Sequence, residues 1–233
     1  MRPEHRQVDG KPVLVWRADR PWLAISSAVH GGGLGERNWV LNATVRADYD
    51  RDDPGDHVAE LAAACGLTGP GTGVLTALDV RRAVTATDRE VTVTATTGIG
   101  AHPTWAAGDE ELPWLPGTIN VVGWFPVRLT VAALVNAVAT AAEAKAQALL
   151  EEGVPGTGTP TDATVLLCPT TGPAEDYGGP RSVQGARLAR ALHSAVRTGL
   201  RTLPRTWSAG PGTIDPRPVT CRAIRARADD RLR

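Results

Sequence analysis

The sequence has no excess of charge of either sign. Its 25 basic and 25 acidic residues cancel, so composition gives no reason to expect a nucleic acid or an anionic membrane as partner. No apolar run approaches a membrane span, and the N-terminal MRPEHRQVDGK lacks the apolar core of a signal peptide. Cysteine is scarce: Cys65, Cys168 and Cys221 have no close pairing and leave one over, which predicts reduced thiols in a cytoplasmic protein. Lysine is scarcer, present only as Lys11 and Lys145, so a lysine within a helix stands out. Catalytic signatures are missing too. The five histidines (His5, His30, His57, His102, His193) show no HExxH or other short metal spacing, which leaves a zinc site only to long-range assembly. There is no G-x-S-x-G elbow. GPGTGV lacks the third glycine of a dinucleotide fingerprint.

What is present is an ordinary globular composition, 42% apolar and 21% charged over 233 residues, enough for one large domain. We expect that domain over residues 1–201, and a loosely held or disordered Arg/Pro-rich tail over 202–233. Gln7–Arg17 predicts a hairpin turning at Asp9-Gly10, and Trp22–Val29 a further strand. His30–Asn38 reads as a glycine-rich loop before the strand WVLNATVRADY. Asp53–Leu67 predicts a short helix stopped by Gly66. The alternation of EVTVTATTG marks a half-buried strand, and TINVVGWF and ATVLLCPT are two more. The longest helix, Thr130–Gly153, has a capping threonine and a terminal glycine. At 100° per residue Leu134, Val138, Ala141, Lys145 and Leu149 share one face, with Asn136, Thr140, Glu143 and Gln147 opposite. A last helix runs from Ser182 to Leu200, its Arg187, Arg190, Arg197 and Arg201 forming a solvated side. The fold class expected is α/β in content and α+β in layering: mixed sheets with two long helices in the C-terminal half.

Four segments, SSAVHGGG, GPGTGVLTA, TATTGIGAH and GTGTPTD, combine glycine with hydroxyl residues at the edge of a strand or helix. Glycine lets backbone N–H groups converge, and hydroxyls donate or accept without charge. Such loops suit a neutral, carbonyl-rich ligand or a developing oxyanion, and each taken alone also suits a tight turn. Candidate nucleophiles are Ser26, Ser27, Thr76, Thr97 and Thr161, and the residues leave the choice open. His30 and His102 are candidate bases. Asp162 is placed to orient a base or cap the loop. A buried Lys145 needs a carboxylate partner or must snorkel. Ligand contacts are expected from Gly31, Gly32, Gly33, Asn42, Thr76, Thr118, Asn120, Glu143, Thr159 and Thr161.

Taken in order, SSAVHGGG, VLNATVRADYDRDDP, GVLTA, TATTGIG, GTINVV, AAEAKAQAL and GTGTPTDA resemble the adenosylcobinamide amidohydrolase family of corrinoid salvage, from about Leu23 to Leu200. The resemblance implies hydrolysis of the amide joining the aminopropanol side chain to the corrin ring, giving adenosylcobyric acid. It implies a small-molecule corrinoid as substrate, with no resident cofactor and metal dependence open. Homo-oligomers are compatible with it. Trp105, Trp114 and Trp124 are candidates to cover the flat macrocycle. Ala142 in TAAEAK and the bulky, basic GWFPVRL depart from the family's pattern. The alternatives are a corrinoid or amide-rich ligand carrier that does not cut, and an amide hydrolase on peptide-like substrates. A weaker similarity, from GPGTGV through TINVV to GTGTPTD, looks like self-processing aminopeptidases with an N-terminal nucleophile and implies an αββα sandwich.

Overall fold

The structure is a computed structural model that describes residues 2–100, 103–108 and 117–203. His102, Trp114, Cys221 and nearly all of the expected tail lie outside those residues. Asp9 and Gly10 take φ of 49° and 76°, as a tight hairpin requires, and join β1 (Glu4–Val8) to β2 (Lys11–Ser26). Where two strands were expected, β2 is continuous over 16 residues. Its antiparallel register with β3 (Gly33–Thr44) shifts between Arg17 and Trp22. The first half of β2 pairs with β1 and the second half with β9 (Ala163–Pro169). A bulge of this kind lets one strand turn the corner between two sheets. The expected loop to Asn38 is also shorter than its glycines suggest. Gly33–Arg37 already pair with Trp22–Ser26.

The remaining strands are β4 (Gly71–Thr76), β5 (Val84–Asp88), β6 (Val91–Gly98) and β7 (Thr118–Trp124), with β8 (Arg128–Leu129) and β10 (Ala174–Glu175) as a small separate pair. The large sheet has the order β4-β3-β2-β9-β7-β6-β5, with β1 on β2. β3–β4 and β7–β9 are parallel; the other pairs are antiparallel. Alternation then sorts side chains into three cores. Val13, Val15, Trp39 and Leu41 pack on Val58 and Ala62 of α1 (Pro54–Ala64). Val91, Val93, Ile119, Val121 and Leu166 pack on α2 (Val131–Glu151) and α3 (Val183–Arg201). Between them lie Leu14, Trp16, Val40, Val74, Val122, Val165 and Leu167. Asn42 of β3 reaches Thr96 of β6, four strands away in the sheet order. Only a sheet folded so that its halves face each other permits that contact. The layering is therefore α+β, in the order helix, half-sheet, half-sheet, helices.

α2 is capped as expected: the Thr130 hydroxyl accepts from Ala133 N, and Gly153 takes φ 73° beyond its end. One residue departs from the helical wheel. Thr140, assigned to the polar face, is 1% exposed and donates to the Gly178 carbonyl at 2.8 Å. The arginines of α3 are not simply a solvated side either. Arg190 pairs with Asp88 of β5, while Arg197 and Arg201 both reach Glu152 at 2.8 Å. They tie the helix layer to a strand edge and to the end of α2.

Candidate active site at the strand-end rim

Because β7 and β9 are parallel, with Asn120 opposite Ala163, the segments leading into them lie side by side. The Thr159 and Thr161 hydroxyls reach the Gly117 carbonyl at 2.7 and 2.9 Å. Thr118 Oγ1 and Thr161 Oγ1 are 2.7 Å apart at the surface. With the single Thr161 hydrogen directed at Gly117, Thr118 is the donor of that pair, and its own oxygen keeps acceptor capacity. Asp162 pins the assembly. Its Oδ1 accepts from Ile119 N at 2.8 Å and lies 2.5 Å from Thr159 Oγ1. Its Oδ2 accepts from Thr159 N at 3.1 Å and from Lys145 Nζ at 2.5 Å.

A carboxylate offers about four acceptor sites; Asp162 has three filled by Ile119 N, Thr159 N and Lys145 Nζ, and competes with the Gly117 carbonyl for the one hydrogen of the Thr159 hydroxyl. It is built as an anchor. Lys145, reaching in from α2, finds the carboxylate its apolar face required. Its side chain is 19% exposed, and two of its three donors stay available. Gly158 explains how the pair fits. A Cβ there would stand 2.4 Å from Asp162 Oδ2 and 2.7 Å from Lys145 Nζ, so only glycine lets the ion pair lie against the backbone. The segment carrying Trp105 covers the same loop: Thr104 N donates to the Gly158 carbonyl at 2.8 Å, and Thr157 N to the Thr104 carbonyl at 3.0 Å.

Ser27 stands on this rim. It is exposed, and its N and Oγ exchange hydrogen bonds of 3.0 Å with the O and N of Thr164, two residues past Asp162. Ser26 points into the space between the half-sheets, where its buried Oγ accepts from Ala28 N at 3.0 Å and from Thr72 Oγ1 at 3.2 Å. His30 faces the α1 side. Its ring stacks on Trp39 with centroids 5.7 Å apart, and its Nδ1 lies 3.0 Å from the Gly55 carbonyl. That contact places the hydrogen on Nδ1 and leaves Nε2 the lone pair. Within the Gly31–Gly33 run Gly31 turns inward, its carbonyl accepting Arg37 Nε and Nη2 at 3.0 and 2.7 Å and a Cβ on it standing 1.9 Å from the Gly71 carbonyl oxygen, while Gly32 and Gly33 are exposed.

Behind the rim, between the half-sheets, Asn120 Nδ2 donates to the Leu75 carbonyl at 2.9 Å and to Asn42 Oδ1 at 3.2 Å. Asn42 Nδ2 donates to Thr96 Oγ1 at 3.1 Å. Thr76 sits beside them, its Oγ1 accepting from Leu78 N at 3.1 Å. Sequence reasoning chose Thr97 over Thr96, yet alternation from Val91 and Val93 sends Thr97 to the helix side. It lies 2% exposed beneath Gly199, whose Cβ would come within 2.6 Å of its hydroxyl, and that hydroxyl has no hydrogen-bond partner. Thr72 and Thr96 were both missed, and for Thr96 the parity of the strand was the available signal. Glu143 is exposed on α2, away from Lys145's partner. Trp124 lies at the far end of β7 from Thr118. Burial pushes the Cys65 and Cys168 thiols up, which disfavours the thiolate form. Among the described residues no three His, Cys, Asp or Glu side chains group closely enough to share a metal ion.

Comparison with known proteins gives a consistent result. The profile of the family described as CbiZ, adenosylcobinamide amidohydrolase, matches residues 2–205. A Methanosarcina mazei protein of that name is 28% identical over 186 residues, covering 76% of this chain and 89% of the other. A Halobacterium salinarum protein of the same name is 33% identical over 189 residues, covering 77% and 79%. A crystal structure from Pyrococcus horikoshii OT3 aligns at TM-score 0.43 and 14% identity, over 82% of this chain and 77% of that one.

Proposed function

The chain belongs to the adenosylcobinamide amidohydrolase family, and on that premise we propose that the rim formed by Ser27, Thr118, Thr161 and Lys145 is where it works. The activity is hydrolysis of the amide between the aminopropanol side chain and the corrin ring of adenosylcobinamide. The observation that carries it is the family match along residues 2–205.

Amide hydrolysis asks for three things: an oxygen nucleophile at the carbonyl carbon, positive charge or N–H donors where the carbonyl oxygen becomes an alkoxide, and a proton for the departing amine. The rim suits the first two. Thr118 Oγ1, an unfilled acceptor, takes a hydrogen bond from the substrate's amide N–H. Lys145, held by Asp162 with two donors to spare, faces the oxygen on which charge develops. Ser27, exposed and hydrogen-bonded to Thr164 at the start of β9, serves as nucleophile or as the holder of the attacking water. Asp162 is a positioning residue, its oxygens already engaged. Within this reading the corrinoid is substrate, no resident cofactor is needed, the protein is cytoplasmic, and neither nucleic acid nor membrane is a partner. No helix among the described residues is long and apolar enough to cross a membrane.

Purified protein incubated with adenosylcobinamide should yield a more acidic corrinoid and free aminopropanol by chromatography. Intact corrinoid recovered after prolonged incubation would overturn the reading.

A further inference from the structure

At the opposite end of β7 and β9 from Thr118 and Asp162, the bulge of β2 opens a cleft of about 570 Å³, within the usual range of small-molecule sites. Its wall carries Trp22 and Trp124, whose rings meet edge to face with centroids 5.7 Å apart. Trp22 is nearly buried at 9% exposure and braces Trp124, which is only partly covered and so presents an apolar surface to the cleft. Arg17, Asp19, Arg20 and Thr170 complete the lining. Arg17 is tethered, donating to the Cys65 and Gly66 carbonyls at 2.6 and 3.3 Å. Arg20 has no hydrogen bond or ion pair among the described residues and is exposed, so its guanidinium is available to a ligand.

We infer that this cleft is a second ligand site, taking a purine nucleoside monophosphate. An indole of restricted mobility is a platform on which any purine can stack. A free guanidinium beside it matches a phosphate with two parallel hydrogen bonds, and the Thr170 hydroxyl adds a neutral donor. The Asp19 carboxylate is an acceptor for ribose hydroxyls. The cleft lies about 20 Å of strand away from Thr118, beyond the solid interior of the sandwich, so its occupant is a molecule other than the amide being cut.

The test is equilibrium binding by calorimetry with adenosine 5′-monophosphate, adenosine and inorganic phosphate as separate probes. The nucleotide should bind saturably, adenosine more weakly, and phosphate alone more weakly still. Arg20→Ala should weaken nucleotide binding at least tenfold and leave adenosine binding unchanged. Trp124→Ala should weaken both, with Trp124→Phe as the milder variant should the alanine protein not fold. Absence of nucleotide binding at millimolar concentration, or binding unchanged in both Arg20→Ala and Trp124→Phe, overturns the inference. Because the readout is binding at the far end of the molecule, it stands or falls separately from the hydrolase assay. Arg20→Ala should keep full amidohydrolase activity when no nucleotide is present.

Discussion

Asn120 donates through Nδ2 to Asn42 Oδ1 at 3.2 Å although 78 positions separate them. Both are essentially buried, and together with Thr96 and the Leu75 carbonyl they fasten the two half-sheets behind the rim. Asn120→Ala leaves the Leu75 carbonyl and Asn42 Oδ1 without their donor, and should lower stability by about 2–4 kcal/mol. Asn42→Ala should act similarly. The double variant should cost less than the sum by about 0.5–3 kcal/mol, measured by urea unfolding. Strict additivity would show that the two side chains do not act together.

Lys145→Met should reduce kcat about 100- to 1,000-fold, the range for removing a donor from a developing oxyanion, with less change in KM. Glu143→Gln, two residues away and exposed, should leave kinetics unchanged. A Lys145→Met protein that retains its rate removes Lys145 from the reaction.

Thr97→Val replaces a buried, unpartnered hydroxyl by a methyl of nearly the same volume. Losing an unsatisfied polar group from the interior should be neutral or stabilise by about 1 kcal/mol, with activity intact. A large loss of activity at normal melting temperature would return Thr97 to the list of reacting groups.

Gly158→Ala puts a methyl where the ion pair lies. Lys145 and Asp162 must separate, so activity and melting temperature should both fall, by about 1–3 kcal/mol in stability. Gly153→Ala, whose Cβ would meet nothing within 4 Å, is the control. There the cost arises only from φ of 73° and should leave turnover alone.

Arg201 and then Arg197 hold the Glu152 carboxyl below the ordinary carboxylate range. A carboxyl that binds its proton less readily folded than unfolded stabilises the protein above its unfolded pKa, about 4.3, and loses that contribution as pH falls through the lower folded value. Glu152→Gln should therefore lower the melting temperature at neutral pH. The gap to the parent should close as the solution is acidified well below pH 4. A gap that does not change with pH would mean that packing, rather than charge, is lost.

Local chemistry was legible wherever one residue type has few uses. Asp9-Gly10, Thr130, Gly153 and Ser182 all make the turn or cap their identities imply. GTIN and GTGTPTD, alike in composition, do lie side by side, whereas the Thr97 of TTGIG faces α3 instead. What failed needed tertiary partners. The charged run Arg17–Pro21 read as a break because nothing local reveals that a bulge, not an end, absorbs it. Thr140 counted as polar surface until Gly178 supplied its acceptor, and the arginines of α3 until Asp88 and Glu152 did. Thr97 is different: its parity with Val91 and Val93 is visible in the sequence itself and already assigns its hydroxyl to the helix side.

The shared strand has a consequence for synthesis. Ser26 must pair with Val165, so on the ribosome the second half of β2 waits for about 140 further residues before that edge finds its neighbour. Until then a nascent chain displays an open row of amides and carbonyls, the condition under which unfinished polypeptides stick to one another. Slow elongation or high expression temperature should therefore send this protein into inclusion bodies before any defect appears in the finished molecule.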